Sequence, residues 1–172
     1  AKVFDCAGEA IMITDPQGAI VAVNGAFTQI TGHGAEEVRG RNPRMLNSGQ
    51  HPEEFYAQMW RQLKDAGSWQ GEIFNRRKNG EVYAEWLNIA AVFDDARRLT
   101  HYVGIFSDIS AIKESQRRIE FLATHDELTG LPNRSLLNDR LRHAILQAKR
   151  NARKLAVLFI DLDNFKHIND SL

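Results

Sequence analysis

A single cysteine, Cys6, stands in 172 residues. That excludes an internal disulfide framework and a cysteine-cluster zinc site, and it suits a reducing compartment. An excess of either charge is also lacking, since 22 Lys+Arg balance 22 Asp+Glu. Nucleic-acid binding ordinarily shows as a basic excess, so no nucleic-acid partner is expected. No apolar run approaches the roughly 20 residues of a membrane helix, and no signal peptide opens the chain. A cytoplasmic location without a membrane segment is therefore expected. Low-complexity tracts are missing too. With 43% hydrophobic and 26% charged residues, the chain has the composition of a folded globular protein. Its opening, AKVFDCAGEA, reads as a start inside a longer protein.

The charge that is present is unevenly placed. From Lys113 to Lys154, ten basic residues face five acids. No aromatic interleaving of the kind a nucleic-acid surface uses accompanies them, so they read as solvated helix faces. The shift marks a boundary near residue 110.

Before that boundary the pattern is mixed. Residues 10–14 (AIMIT) read as a strand, Asp15-Pro16-Gln17-Gly18 as a turn, and Ala19–Val23 as a second strand. Asn24 is placed to cap a short helix, Gly25–Thr31, that Gly32 ends. Residues 38–50 look like loop, with Gly40, Pro43 and Gly49 as punctuation. Phe55, Tyr56, Met59, Trp60 and Leu63 recur at helical spacing and predict a helix over Pro52–Ala66. Trp69–Arg77 and Glu81–Phe93 flank the hairpin signal Lys78-Asn79-Gly80. Leu99–Asp108 completes five strands, a mixed α+β domain with an antiparallel sheet.

After Asp108 the pattern is helical. Ile109, Ile112, Gln116, Ile119 and Ala123 step by three and four residues, the spacing of a coiled-coil seam. Two heptads do not hold a coiled coil unaided; a helix packed back on its own domain is the other reading. A loop, Thr124–Asn133, leads to a helix, Arg134–Ala152, and an apolar run, Leu155–Ile160, reads as a strand. One strand after a helix buries too little for a domain, so the C-terminal part is expected to be the beginning of one.

Two motifs there, THDELTGLPNR (124–134) and FIDLDNFKHIND (159–170), resemble the start of a GGDEF domain, the catalytic domain of diguanylate cyclases. Hard cations take oxygen ligands, so an acid at a strand tip can hold Mg²⁺ against a triphosphate. The resemblance gives that role to Asp161, with the Leu162 carbonyl beside it. It sets Lys166 against nucleotide phosphates and Asn169 against the guanine edge. Asp126 and Arg134 match positions that would form an ion pair in the connecting turn. The Gly-Gly-Asp/Glu-Glu-Phe signature does not occur. No catalytic residue is therefore assigned, and turnover is not expected from this polypeptide by itself. Mg²⁺ and GTP belong to the complete parent chain.

The first 110 residues resemble a PAS domain. The carriers are AIMITD (10–15), VNGAFTQITG (23–32), GRNPRML (40–46), NRRKNG (75–80) and YVGIFSDIS (102–110). The last ends in a variant of the Asp-x-Thr junction that couples such sheets to signalling helices. Asp108 would bond the helix's first turn, and Ser110 would cap it. The whole then reads as a PAS sensor (1–109), a signalling helix (110–124) and the N-terminal part of a GGDEF domain (125–172), a partial α/β nucleotidyl-cyclase-like palm.

Two flavin-binding branches of that family bear on the pocket. The light-sensing LOV branch has a reactive Cys where this chain has Pro43, which excludes adduct chemistry. The segments 47–63 and 68–80 are similar to the FAD-binding redox sensors of nitrogen-fixation regulators. That resemblance places Trp60 beside a flavin and Asn75 on its ring, a π surface and a two-way hydrogen bonder. Met12 and Pro43 depart from that branch's pattern. The residues equally fit Trp60 as a core anchor and Asn75 as a strand amide. A haem would need a His on the pocket helix, where residues 53–66 hold none, and no two of the six His stand at metal-ligand spacing, so neither haem nor a metal is expected. A small organic ligand is the remaining option.

The function these readings imply is a sensory and dimerisation module, acting as a homodimer, that regulates cyclic di-GMP synthesis by an attached GGDEF domain. Two alternatives stand beside it. The parent chain is itself a diguanylate cyclase, with or without a phosphodiesterase domain, or the PAS domain is a ligand-free dimerisation element.

Overall fold

The computed structural model describes Phe4, residues 7–160 and Asp163. Two compact units divide the chain, Ala1–Ser115 and Gln116–Leu172.

The first unit is a five-stranded antiparallel sheet with short helices. Its strands are β1 (Ala10–Thr14), β2 (Ile20–Val23), β3 (Ser68–Arg76), β4 (Val82–Phe93) and β5 (Leu99–Asp108), in the order β2-β1-β5-β4-β3. Between β2 and β3 lie α1 (Gly25–Thr31), α2 (Ala35–Val38), a single 3₁₀ turn (Pro43–Leu46) and α3 (Glu53–Ala66). Residues 38–50, expected to be loop, thus contain helical turns. Four-residue pieces carry too little periodicity to be seen in a sequence.

Local chemistry sets the connections. In the first turn the Asp15 carboxylate accepts the N–H groups of Gln17 (2.9 Å) and Ala19 (2.8 Å). The β3–β4 turn closes with the Gly80 N–H donating to the Arg77 carbonyl at 2.9 Å, and Gly80 takes φ 92°, a region open to glycine. Pro52 stands just before α3, where its missing N–H costs nothing, and Gly67 ends the helix in a left-handed conformation.

Asn24 fastens α1 to the sheet. Its Oδ1 accepts from Phe27 N and Ile11 N, both at 2.9 Å, and its Nδ2 donates to the Glu9 carbonyl at 2.9 Å. The side chain is buried, so losing it orphans several backbone groups at once. Asn24→Ala is expected to cost about 2 kcal/mol or more, read as a lower urea midpoint at unchanged slope.

The core lies between the sheet and the helical segment. Alternation sends Tyr83, Glu85, Leu87 and Ile89 of β4 inward, the last three opposite Asp108, Phe106 and Gly104 of β5. Phe27 of α1 meets Phe106 edge to face, with centroids 5.9 Å apart. Ile20, Val38, Leu46, Met59, Leu63 and Ile73 belong to the same cluster.

Helix α4 (Ser110–Thr124) begins in the first unit and continues into the second, where α5 (Arg134–Arg150) follows. In the second unit Asn133 caps α5, accepting from Ser135 N (2.9 Å) and Leu136 N (3.1 Å). Two expectations are corrected here. Asp126 makes no ion pair with Arg134; its carboxylate accepts from Thr129 N (2.9 Å) and Thr129 Oγ1 (2.7 Å), holding its own turn. Glu127 is the acid that finds an arginine, Arg118. Residues 155–160 form no strand, because a strand exists only as part of a ladder and no described residue pairs with them. Asp161, Leu162, Lys166 and Asn169, like Cys6, lie outside the described residues.

Candidate functional site

A cavity of about 810 Å³ lies between the sheet and the helical segment, within the range of small-molecule sites. Met12 and Thr14 of β1, Pro43 and Leu46 of the 3₁₀ turn, Trp60 of α3 and Leu87, Ile89, Tyr102 and Phe106 of the sheet line it. Asn75 and Glu85 give it a polar corner. Both sequence-derived pocket residues thus reach the same cavity, in different settings. Trp60 is 39% exposed, its ring edge-on to Tyr102 with centroids 5.6 Å apart, so it sits at the rim and is no core anchor. Asn75 is buried, and its Nδ2 donates to Glu85 Oε1 at 2.9 Å.

Glu85 is the residue that motif reading missed. It is 1% exposed, and its second oxygen, Oε2, has no hydrogen-bond partner. Burial pushes its carboxyl up to about 7, against the Tyr83 and Asn75 side chains, which favour the charged form, and the nearby Asp108 charge adds to the shift. The only signal in the sequence was phase: an acid in step with Tyr83, Leu87 and Ile89 on the inward side of a strand. Tyr56, on the cavity wall, and Tyr83 likewise have buried hydroxyls without partners. Burial, reinforced by the Glu85 charge, raises both phenols.

His51, just ahead of the pocket helix, has a different task. Its Nε2 accepts the Phe74 N–H at 2.9 Å, and its ring stacks on Phe55 at 4.1 Å. Burial lowers its pKa, which favours the neutral ring that this bond requires. Among the described residues no cluster of three or more His, Cys, Asp or Glu is placed to hold a metal.

At the end of the sheet lies the junction. Asp108 Oδ1 accepts from Ser110 N at 2.8 Å, while Oδ2 pairs with Arg77. Arg77 also donates to the Ile30 carbonyl and lies over the Tyr83 ring, 4.3 Å from its centroid. Burial alone would raise the Asp108 carboxyl; the Arg77 and Ser110 bonds outweigh it and hold the group below its ordinary value. Ser110 departs from the capping role assigned to it. Its hydroxyl accepts the Ala84 N–H of β4 at 3.1 Å, and Ile109 N donates to the Ala84 carbonyl at 2.9 Å. Both backbone groups of Ala84 are therefore committed to the start of α4. Its neighbour along the strand is Glu85, at the cavity.

A sheet closed over a cavity, with its last strand running into such a helix, is what the comparison with known families decides. A model described as "PAS domain" matches residues 8–111, more than half of the chain. The chain belongs to the PAS domain family. Directly after the PAS domain, a model described as "Diguanylate cyclase, GGDEF domain" matches residues 123–172. The PAS region is similar to the nitrogen fixation regulatory protein of Klebsiella oxytoca, 34% identical over 113 residues, covering 66% of this chain and 23% of that protein. The chain is also similar to the bifunctional diguanylate cyclase/cyclic di-GMP phosphodiesterase MucR of Pseudomonas aeruginosa, 53% identical over 62 residues, covering 36% of this chain and 9% of that one. Among solved structures, an RNA-binding light-oxygen-voltage receptor has a TM-score of 0.63 at 28% identity, over 71% of this chain and 35% of that chain. The chain spans less than a quarter of the length of these curated relatives. Among the described residues, no helix is long and apolar enough to cross a membrane.

Proposed function

We propose that this chain is a cytoplasmic sensory module whose PAS cavity controls cyclic di-GMP turnover by an attached GGDEF domain. The observation that carries the reading is the junction at Ala84. One strand presents Glu85 to the cavity and, one residue earlier, bonds Ile109 and Ser110 at the start of α4. A change of cavity contents that moves β4 therefore acts on the helix that leads to residues 123–172. Asp108 and Arg77 stiffen that link.

The output geometry follows from α4. Ile112 and Ile119, on the seam, are 66% and 68% exposed; apolar residues at that spacing are covered when two copies of the helix pair. A two-fold homodimer then sets how two GGDEF domains face one another. Ile112→Lys with Ile119→Lys is expected to convert dimer to monomer in light scattering. An unchanged mass places the interface elsewhere and removes the register mechanism. The match to MucR, named for both cyclase and phosphodiesterase activities, favours a parent chain that is itself a diguanylate cyclase. In it Asp161, the Leu162 carbonyl, Lys166 and Asn169 would meet Mg²⁺ and GTP.

For the cavity, a flavin is the ligand the residues fit. Its volume suffices, Trp60 offers an aromatic face at the rim, and Asn75 with Glu85 offers a donor and an acceptor for a ring edge. When bound, a flavin would supply redox or light sensitivity; Pro43 on the wall leaves no thiol there for an adduct. The deciding measurement is an absorption spectrum of the chain purified without added cofactor. Paired bands in the blue and near ultraviolet are expected, weakened in Trp60→Ala and Asn75→Ala. A blank trace from protein kept at low temperature and then incubated with FAD overturns the flavin reading and favours a ligand-free dimerisation role.

A further inference from the structure

The segment between the 3₁₀ turn and α3 is tied to the sheet by its side chains. Strand β3 is an edge strand, paired with β4 alone, and such an edge presents backbone groups that need partners. At Phe74 residues 47–51 supply them. His51 Nε2 accepts the Phe74 N–H at 2.9 Å, and Ser48 Oγ donates to the Phe74 carbonyl. Arg76 donates to the Ser48 carbonyl at 2.8 Å, and Asn47 forms an isolated bridge with Asn75. Gly49, at φ 82°, turns the segment between these holds. This strap belongs to the cavity wall: its first residue, Asn47, lines the cavity, and so does Glu53 just beyond it.

The other side of Phe74 leads to α4. Across the β3–β4 ladder Phe74 lies opposite Ala84, whose N–H and C=O are both bonded to the start of α4. A second tie runs along β3. Glu72 pairs with Lys113 of α4 at 2.7 Å, and the Lys113 ammonium lies 5.7 Å from the centroid of the Phe74 ring.

One of these holds depends on a proton. An imidazole nitrogen accepts an N–H only while it carries no hydrogen itself. The groups that face the ring are Phe55 and Tyr56 of α3 and Phe74 and Glu72 of β3. Burial favours the neutral ring, and the Glu72 charge favours the protonated one. The Tyr56 phenol is raised above its ordinary value and stays neutral. Of the cations in this patch, Lys113 is paired with Glu72 and Arg76 with the strap.

We propose that residues 47–51 are a strap latched by neutral His51, and that protonation of this ring releases the strap from β3 and loosens the start of α4. The imidazolium finds no acceptor at Phe74 N and is drawn to Glu72, in competition with Lys113. Acid thereby frees one wall of the cavity and weakens both ties to the helix. The latch holds above the ordinary 6.5 of imidazole and is lost as pH falls below it, the sign expected of a depressed histidine. The consequence for signalling rests on α4 being the output helix, and on no ligand in the cavity.

The test is amide exchange of the full chain by NMR, near pH 7.5 and near pH 5, each rate divided by its intrinsic value at that pH. The His51 ring is titrated alongside. Protection of the Phe74 amide is expected to fall about fivefold or more as the ring protonates, the worth of one hydrogen bond, and Ala84 follows. His51→Gln has an amide oxygen that accepts and does not titrate, so it is expected to abolish both steps. That subtraction also removes the titration of Glu85 and Asp108 near Ala84. Should His51→Gln not fold, Glu72→Gln decides: release moved to lower pH supports the latch, and an unchanged midpoint overturns it. A ring that titrates while Phe74 stays protected overturns the proposal. So does a Phe74 step that survives in His51→Gln, or one that leaves Ala84 unchanged. None of these readouts needs a ligand, so their failure leaves the reading of the cavity standing, and a cavity without flavin leaves the latch standing.

Discussion

Asp108→Ala is expected to lower the stability of the PAS unit by about 2–3 kcal/mol and to loosen the first turn of α4. The loss has three parts. Ser110 N loses its acceptor at the helix start, a capping effect of about 1 kcal/mol. Arg77, a mostly buried guanidinium, loses its carboxylate. Arg77 also bonds the Ile30 carbonyl and covers Tyr83, so its displacement spreads to α1 and β4. Asp108→Asn keeps an acceptor for Ser110 N and removes the charge, and should fall between the two. All three tryptophans, Trp60, Trp69 and Trp86, lie in the PAS unit, so urea unfolding read by tryptophan fluorescence reports this unit. A loss under about 0.5 kcal/mol, the size of an exposed pair, overturns the assignment of Asp108 as the clamp between sheet and helix.

The second large effect is on the pH dependence of stability. Glu85 has its carboxyl raised from 4.5 to about 7 in the folded chain. A raised group binds its proton more tightly folded than unfolded. Its stabilising effect is therefore complete below pH 4.5, declines as pH rises, and is gone once pH has passed 7. Relative to Glu85→Gln, which does not titrate, the unaltered protein should lose on the order of 3 kcal/mol across that window. Subtracting the variant's profile cancels the contributions of Asp108 and His51, which run the other way. Asp108 and His51 are both depressed, so what they contribute is present at higher pH and lost as pH falls. A flat difference between the two profiles means that Glu85 titrates normally and that its burial is relieved in solution.

The strands and their turns were legible because each is written in a few adjacent residues. Asp15 and Gly18 make one turn and Asn79-Gly80 another, and both close as local chemistry requires. The long pocket helix was legible from Phe55, Met59 and Leu63, whose spacing marks its inner face. Short elements, α2 and the 3₁₀ turn, were not, since one turn of helix leaves no period. The candidate site was legible in part. Trp60 and Asn75 do face one cavity, but a residue type does not show whether its ring is at a rim or in a core. Asp126 and Ser110 show the same limit: each had an expected partner and found another, Asp126 in Thr129 of its own turn and Ser110 in Ala84 of a distant strand.

The sequence by itself determined the order of the five strands and the pocket helix, and the family, because hydrophobic period, turn residues and local motifs act over a few positions. Only the tertiary structure decided that Glu85 is buried with an unpartnered oxygen and that Ser110 reaches back to Ala84. It also decided that Arg77 and Asp108, 31 residues apart, form one clamp. Those facts depend on which strands lie side by side, and β4 pairs with β5 and β3 at once. Register across a sheet places each side chain against neighbours distant in sequence, and burial, which sets the cost of a charge, follows from that placement.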